Sequence, residues 1–186
     1  MSRGSLLERI RFWRTVGRLL ETPLGARAMT VSRGLLNAAT RLLPRPRLDG
    51  PPSFVTPTAP LRDCRVAIVT TAGLHLAGDE PFDVDDPAGD PSFREIPSTV
   101  SHADLRIAHA HYPHRWWRED PEVLLPLSLL RELEAAGAFR LAPRFFSFGF
   151  GGLLTGAYLD PRTGTAHEVA HRLRADGVDL ALFVPA

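Results

Sequence analysis

Residues 176–186 read DGVDLALFVPA, and this stretch decides the fold. Seven of its eleven residues are apolar, and five of them follow one another at 180–184. An uninterrupted apolar run of this length is typical of a strand buried on both faces, as in parallel sheets. The preceding TAHEVAHRLRADG (165–177) predicts a helix, with Thr165 and Glu168 as a capping box and Gly177 as its stop. A helix that leads into a buried strand indicates an α/β fold.

The rest of the C-terminal two thirds repeats this alternation. RVAIVTT, DLRIAHAH and RFFSFGF predict further strands, and PEVLLPLSLLRELEAAG predicts a helix that stops at Gly137. We therefore expect a parallel sheet with helices on both faces, a Rossmann-like three-layer sandwich, with the strand at 179–185 central or nearly so. The expected strands lie near 65–71, 105–111, 144–149 and 179–185.

An N-terminal helical arm precedes this domain. Apolar residues at helical spacing predict two amphipathic helices, near 5–20 and 24–43. The domain organisation is then a basic arm at 1–43, a proline-rich linker at 44–60 and an α/β domain at 61–186, which we expect to be incomplete at its C-terminus. The arm is rich in arginine, so contact with a membrane is one interpretation and docking on the acidic remainder of the chain is another.

Composition limits the class of protein. The sequence has one cysteine, Cys64, no transmembrane-length apolar run and no signal-peptide core, so we expect a cytoplasmic protein. It also lacks a Walker lysine and a G-x-G-x-x-G spacing, and we expect no nucleic-acid partner.

Candidate site residues follow from one rule: in open parallel sheets, ligands bind beyond the carboxyl ends of the strands. The segment GDPSFREIP predicts a polar loop. Its Arg94 is a candidate for bidentate binding of a substrate carboxylate, with a surface ion pair to Glu95 or a nearby acid as the alternative. Glycines after a strand allow close approach of backbone N–H groups to an anion. The expected substrate-binding residues are Thr70, Thr71, Gly73, His75, Asp90, Ser92, Arg94, Gly149 and Gly151.

The segment HAHYPHR places His109, His111 and His114 together, and these are the candidate catalytic residues. Histidine at a strand end supports three interpretations: acid–base or substrate chemistry, a metal site as in metallo-β-lactamase-like hydrolases, or plain structure. Pro113 stands where the hydrolase motif has an aspartate, and we expect no metal.

Four segments in succession resemble the selenoprotein B group of the glycine/betaine/sarcosine/D-proline reductases. They are CRVAIVTTAGLHLAGDEPFD, GDPSFREIPS, LRIAHAHYPH and LLPLSLLRELEAAG. The resemblance covers about residues 60–186 and implies reductive cleavage of a small amino acid or an N-methylated relative. It further implies a selenocysteine nucleophile, a partner subunit that carries a pyruvoyl group and a thioredoxin-like reductant.

The resemblance places the selenocysteine or cysteine motif directly after the strand VDLALFVPA, and no such motif is found within 1–186. We therefore expect the reading frame to continue past Ala186 through a UGA codon. Whether the chain is itself an enzyme stays open. The alternatives to a reductase are a metal-dependent hydrolase that uses His109, His111 and His114, and a non-catalytic binding module.

Overall fold

The computed structural model describes residues 56–57, 59–85, 89–109, 112–149, 155–160 and 164–186. The predicted arm at 1–43 and most of the linker lie outside these residues. The described part is an α/β fold built on a mixed, mostly parallel sheet. None of its helices has the length and hydropathy of a membrane span.

The elements alternate along the chain. The strands are β1 (Arg65–Thr70), β2 (Leu74–Leu76), β3 (Phe93–Pro97), β4 (Leu105–Ile107), β5 (Arg140–Leu141), β6 (Arg144–Phe148) and β7 (Leu180–Val184). The α-helices are α1 (His114–Glu119), α2 (Leu127–Ala135), α3 (Thr155–Leu159) and α4 (Thr165–Ala175). Short 3-10 turns occupy Leu61–Asp63, His102–Asp104 and Pro121–Val123.

Strand β1 is the centre of the main sheet. It pairs with β7 along Val66–Thr70, so β5 and β6 must share its other side. These pairings are all parallel, whereas β3 pairs antiparallel with β6 and makes the sheet mixed. The expectation of a wholly parallel sheet is therefore wrong at the β3 margin.

Two apolar clusters hold the layers together. Val66 and Ile68 of β1 belong to one cluster with Leu127 and Leu130 of α2. Val69, on the alternate face of β1, belongs to another with Phe146 and with Val169 of α4. The side chains of Ile68 and Phe146 are fully buried, which explains the apolar runs in the sequence.

Three sequence expectations about strands are corrected. The segment expected at 105–111 forms only β4, which pairs antiparallel with β2 outside the main sheet. Strand β3 falls in a stretch that we expected to be a polar loop. Strand β7, expected to be buried and central or nearly so, pairs only with β1 among the described residues, and its three middle residues are exposed.

The helix ends are partly as expected. Gly137 and Gly177 have φ of 75° and 69°, the left-handed conformation that stops α2 and α4. The predicted capping box is wrong, because the N-cap of α4 is Gly164, which has no side chain to accept a capping hydrogen bond. Thr165 instead donates from Oγ1 to the carbonyl of Pro91, at 2.8 Å.

Candidate functional site

Three parallel strands end side by side at one edge of the sheet. Thr70 of β1 pairs with Ser147 of β6 and with Val184 of β7. Beyond β1, the Thr71 amide donates to the Val184 carbonyl at 3.3 Å. The Thr71 hydroxyl accepts a hydrogen bond from the amide of Ala186 at 3.1 Å. Thr71 thus holds the end of β7 by its main chain and by its side chain.

Gly73 connects this edge to the small β2–β4 sheet. Its amide donates to the Phe148 carbonyl, and its own carbonyl accepts from the Ala108 amide, both at 2.9 Å. Its φ is 65°, and a Cβ atom there would lie 2.2 Å from the Ala108 oxygen. The Leu74 amide donates to the Ser147 hydroxyl at 2.8 Å. Only glycine fits where these two backbones meet.

The buried hydroxyl of Thr70 serves the turn that follows β1. Its Oγ1 accepts from the Ala72 amide at 3.2 Å. Ser147 and Thr70 are both fully buried polar residues with hydrogen-bond partners inside the protein. Both hydroxyls therefore bind backbone amides at the carboxyl edge from inside the protein. Ser147 was missed from the sequence because it lies in the middle of the apolar run RFFSFGF.

Histidines line the segments that leave this edge. His75 and His109 are buried, and His114 is half-buried. His75 Nδ1 lies 2.8 Å from the Leu76 carbonyl, and His114 Nε2 lies 2.9 Å from the His109 carbonyl. A carbonyl only accepts, so a neutral ring carries its proton on that nitrogen and presents the other nitrogen as an acceptor. His111 lies outside the described residues.

The aromatic ring of Tyr112 packs beside this segment. It stands edge-on to the His109 ring, with centroids 6.3 Å apart, and edge-on to Trp116 at 5.8 Å. Desolvation by burial raises the pKa of the Tyr112 phenol. In the described part of the chain, no group of three or more His, Cys, Asp or Glu side chains is arranged to hold a metal ion. The metal-site interpretation of the histidines therefore gains no support there.

Arg94 holds a loop in place. Its Nε donates to the Glu80 carbonyl, its Nη1 to the Ser92 hydroxyl and the Phe93 carbonyl, and its Nη2 to the Pro81 carbonyl. The guanidinium also lies 4.4 Å from the centre of the Phe82 ring. One of its five N–H groups is left, which is too few for the bidentate carboxylate contact that we expected.

The alternative expected for Arg94 was a surface ion pair with Glu95 or a nearby acid; the charge of Arg94 acts on the nearby Asp90, but the pair with Glu95 is not formed. Glu95 instead pairs with Arg144 at 2.6 Å and with Arg172.

Phe82 links this loop to the end of β6. The ring is buried and packs directly on Gly149, where a Cβ atom would lie 2.8 Å from Cδ1 of Phe82. Phe82 was missed from the sequence, although an aromatic residue inside the polar stretch GDEPFD was a signal for it. Gly151 lies outside the described residues.

A cavity of about 640 Å³ opens beside β3. Asp90, Ser92 and Arg94 come together in its wall, as the sequence predicted for one loop, whereas Thr71, Gly73 and His75 do not line it. Burial acts to raise the pKa of Asp90, but hydrogen bonds from Ser92 and the Asp83 amide, with the charge of Arg94, lower it overall. The full lining is Asp79, Glu80, Pro81, Asp83, Asp90, Ser92, Phe93, Arg94, Glu95 and Arg172.

Cys64 lies at the opposite edge of the sheet. It precedes β1, is fully buried, and its thiol lies 3.4 Å from the Pro60 carbonyl. It is the single cysteine of the sequence. The residues described at the carboxyl edge therefore include no thiol.

Comparison with known proteins agrees with the resemblance in the motifs. The model of the family described as glycine/sarcosine/betaine reductase selenoprotein B matches residues 51–185. The D-proline reductase subunit gamma of Acetoanaerobium sticklandii is 35% identical over 134 residues, which are 72% of this chain and 53% of that protein. The chain thus spans about half the length of this relative, and no solved structure matches it. The chain belongs to the glycine/sarcosine/betaine reductase selenoprotein B family.

Proposed function

We propose that residues 61–186 provide the substrate-binding edge of a selenoprotein B-type reductase that acts on a small amino acid or an N-methylated amine. The observation that carries this proposal is the convergence of β1, β6 and β7 on Thr71 and Gly73. That convergence lies inside the segment matched by the family model. The carboxyl end of a parallel sheet is where such folds bind ligands.

The side chains at this edge suit a small polar substrate. In the proposed role, the backbone around Gly73 and Gly149 lets a substrate approach closely. The second ring nitrogens of His75 and His114 accept or return a proton during cleavage of the carbon–nitrogen bond. The proposed site also includes His109, His111, Gly151 and Thr70. Its edge is supported by Asp90, Ser92 and Arg94.

The reaction needs a nucleophile and two electrons. A selenol or thiol supplies both when it attacks carbon and is then oxidised with a second thiol. We place that group just beyond β7, next to Thr71, outside residues 1–186. A pyruvoyl-bearing subunit and a thioredoxin-like reductant are the proposed partners, in the cytoplasm. We also propose that the complete domain is a Rossmann-like three-layer sandwich.

The test uses protein isolated from its natural host, where selenocysteine insertion is intact. We expect stoichiometric selenium by elemental analysis, and dithiol-dependent consumption of one of D-proline, glycine, sarcosine or betaine. His75→Gln should lower turnover at least tenfold without changing the unfolding midpoint. Arg174→Gln, exposed near the end of α4 at the far edge, is the matched control. Selenium-free protein that neither binds nor consumes any of the four would contradict the proposal.

A further inference from the structure

The outer margin of β7 is apolar and open. Within the part of the chain that the structure describes, β7 pairs with β1 and with no other strand. Leu182 is 43% exposed and Phe183 is 71% exposed, although both lie in the middle of the strand. Because neighbouring residues of a strand point to opposite faces, both faces of the sheet are uncovered here.

Each of these exposed residues lies next to a buried core residue of β1. Leu182 pairs with the fully buried Ile68, and Phe183 pairs with Val69, which is 6% exposed. Leu180 and Val184, on the same face as Leu182, pack against the cluster that contains Ile68. Both apolar layers therefore reach β7 and stop without a covering element among the described residues.

The margin also lacks the devices that protect exposed edge strands. Residues 180–184 read LALFV, with no charged residue, no proline and no break in the pairing with β1. Free edges normally carry charges, bulges or proline, because unpaired strands otherwise associate. A margin of this composition is typical of a surface that a constant partner covers.

We propose that β7 is the binding surface for the polypeptide that corresponds to the part of the D-proline reductase subunit gamma not matched by this chain. That part is about half of the relative, enough for a further strand and helices. The occupant adds a strand beside β7 and brings one apolar element to Leu182 and another to Phe183. A second copy of this chain fits less well, because a two-fold pairing of β7 strands joins two margins that both lack cover. The proposal rests on family membership and not on the reductase chemistry.

The experiment co-expresses the full chain with the unmatched portion of that relative. We expect a stable one-to-one complex by size-exclusion chromatography with light scattering. Amide hydrogen exchange at 180–184 should slow at least tenfold in the complex. Phe183→Asp and, separately, Leu182→Asp should abolish the complex. Leu129→Asp, at a 56% exposed position on α2, should leave it intact.

Four outcomes would overturn the proposal. Two are the absence of a complex and a complex that Phe183→Asp leaves unchanged. The third is a concentration-dependent dimer of the chain alone that Phe183→Asp dissociates, since the occupant would then be a second copy. The fourth is slow exchange at 180–184 in the chain alone that Trp13→Asp abolishes, since the N-terminal segment would then cover β7. No reductase activity enters these readouts, so this inference and the proposed function fail separately.

Discussion

The two margins of the sheet are finished in different ways. At one margin, β3 pairs antiparallel with β6 over five residues, from Phe93↔Phe148 to Pro97↔Arg144. The Phe93 ring packs on Phe146 with centroids 5.8 Å apart, and Glu95 is held by Arg144 and Arg172. At the other margin, β7 carries no charge and leaves Phe183 in solvent. A margin closed by aromatic packing and ion pairs needs no partner, whereas an apolar open margin does.

The largest expected effect on stability comes from a comparison of two phenylalanines in one row of the sheet. Val69 pairs with Phe146 on one side and with Phe183 on the other. Phe146→Ala removes a fully buried ring and should cost about 3–5 kcal/mol of the free energy of unfolding. Phe183→Ala should cost less than about 1 kcal/mol in the chain alone, because its ring is already exposed. Urea unfolding measures both, and equal losses would show that Phe183 is buried as fully as Phe146.

The end of β6 next to the β3 margin offers a second test. Gly149→Ala sets a methyl group 2.8 Å from the Phe82 ring and should cost about 1–3 kcal/mol. Phe82→Leu in the same chain should restore part of that loss by making room. Gly78→Ala is the control, since nothing lies within 4 Å of its added Cβ. If the Gly149 and Gly78 variants have the same thermal midpoint, Phe82 does not cover Gly149.

The ion pairs of the closed margin predict a pH dependence. A hydrogen bond from Arg144, and then its charge, hold the pKa of Asp176 below the ordinary 3.8, although burial opposes them. A lowered pKa in the folded state adds stability above pH 3.8, and this stability is lost as the pH falls through the folded value. Arg144→Gln should therefore cost about 1 kcal/mol at pH 7 and make stability less sensitive to acid.

Acid unfolding followed by circular dichroism measures this effect. Arg62→Gln removes an exposed ion pair with Asp63, at 3.8 Å, and should leave the acid midpoint unchanged. An Arg144 variant with the same acid profile as the parent protein would exclude Asp176 as a source of the pH dependence.

The smallest effect on stability is expected at the open margin. Leu182→Lys should change the free energy of unfolding by no more than about 0.5 kcal/mol, since the position is half exposed. It should nevertheless reduce non-specific aggregation of the uncomplexed chain, as distinct from a defined dimer, because a lysine on an edge strand opposes pairing. Light scattering against concentration measures this, with Leu129→Lys on α2 as the control. Equal scattering by the two variants would mean that β7 is not the surface through which the chain aggregates.

Elements with long apolar runs or clear helix stops were the most predictable part of the fold. Strands β1, β6 and β7 and helices α2 and α4 lie where apolar runs and glycine stops placed them. Strand β3 was missed because Arg94 and Glu95 give FREIP the composition of a loop. The charges of Arg94 and Glu95 are tolerated in this strand because Arg94 donates hydrogen bonds to distant carbonyls and Glu95 pairs with arginines. The direction of β4 was missed because an apolar run such as LRIA does not say which strand it will pair with.

The candidate site likewise contains some residues whose positions could be predicted from sequence and others whose contacts could not. Thr71, Gly73 and Gly149 could be placed from sequence, because each lies at or just beyond the end of a predicted strand and parallel strands end together. The hydrogen bonds of Arg94 could not be predicted, since two of its acceptors are carbonyls 13 and 14 residues away in a loop without regular structure. The packing of Phe82 on Gly149 likewise depends on how that loop folds back.

The central position of β1 also determines when the domain can fold during synthesis. Its first residue is bonded through the Arg65 amide to Asp179, 114 residues later, and every strand that pairs with it is made after residue 139. At synthesis rates of about 5–20 residues per second, β1 leaves the ribosome on the order of ten seconds before β7. From the synthesis of β1 until residue 140 is made, this apolar strand has none of the strands that pair with it in the folded domain. We therefore expect the nascent chain to bind chaperones that shield apolar segments, and the domain to fold only after β7 has been made.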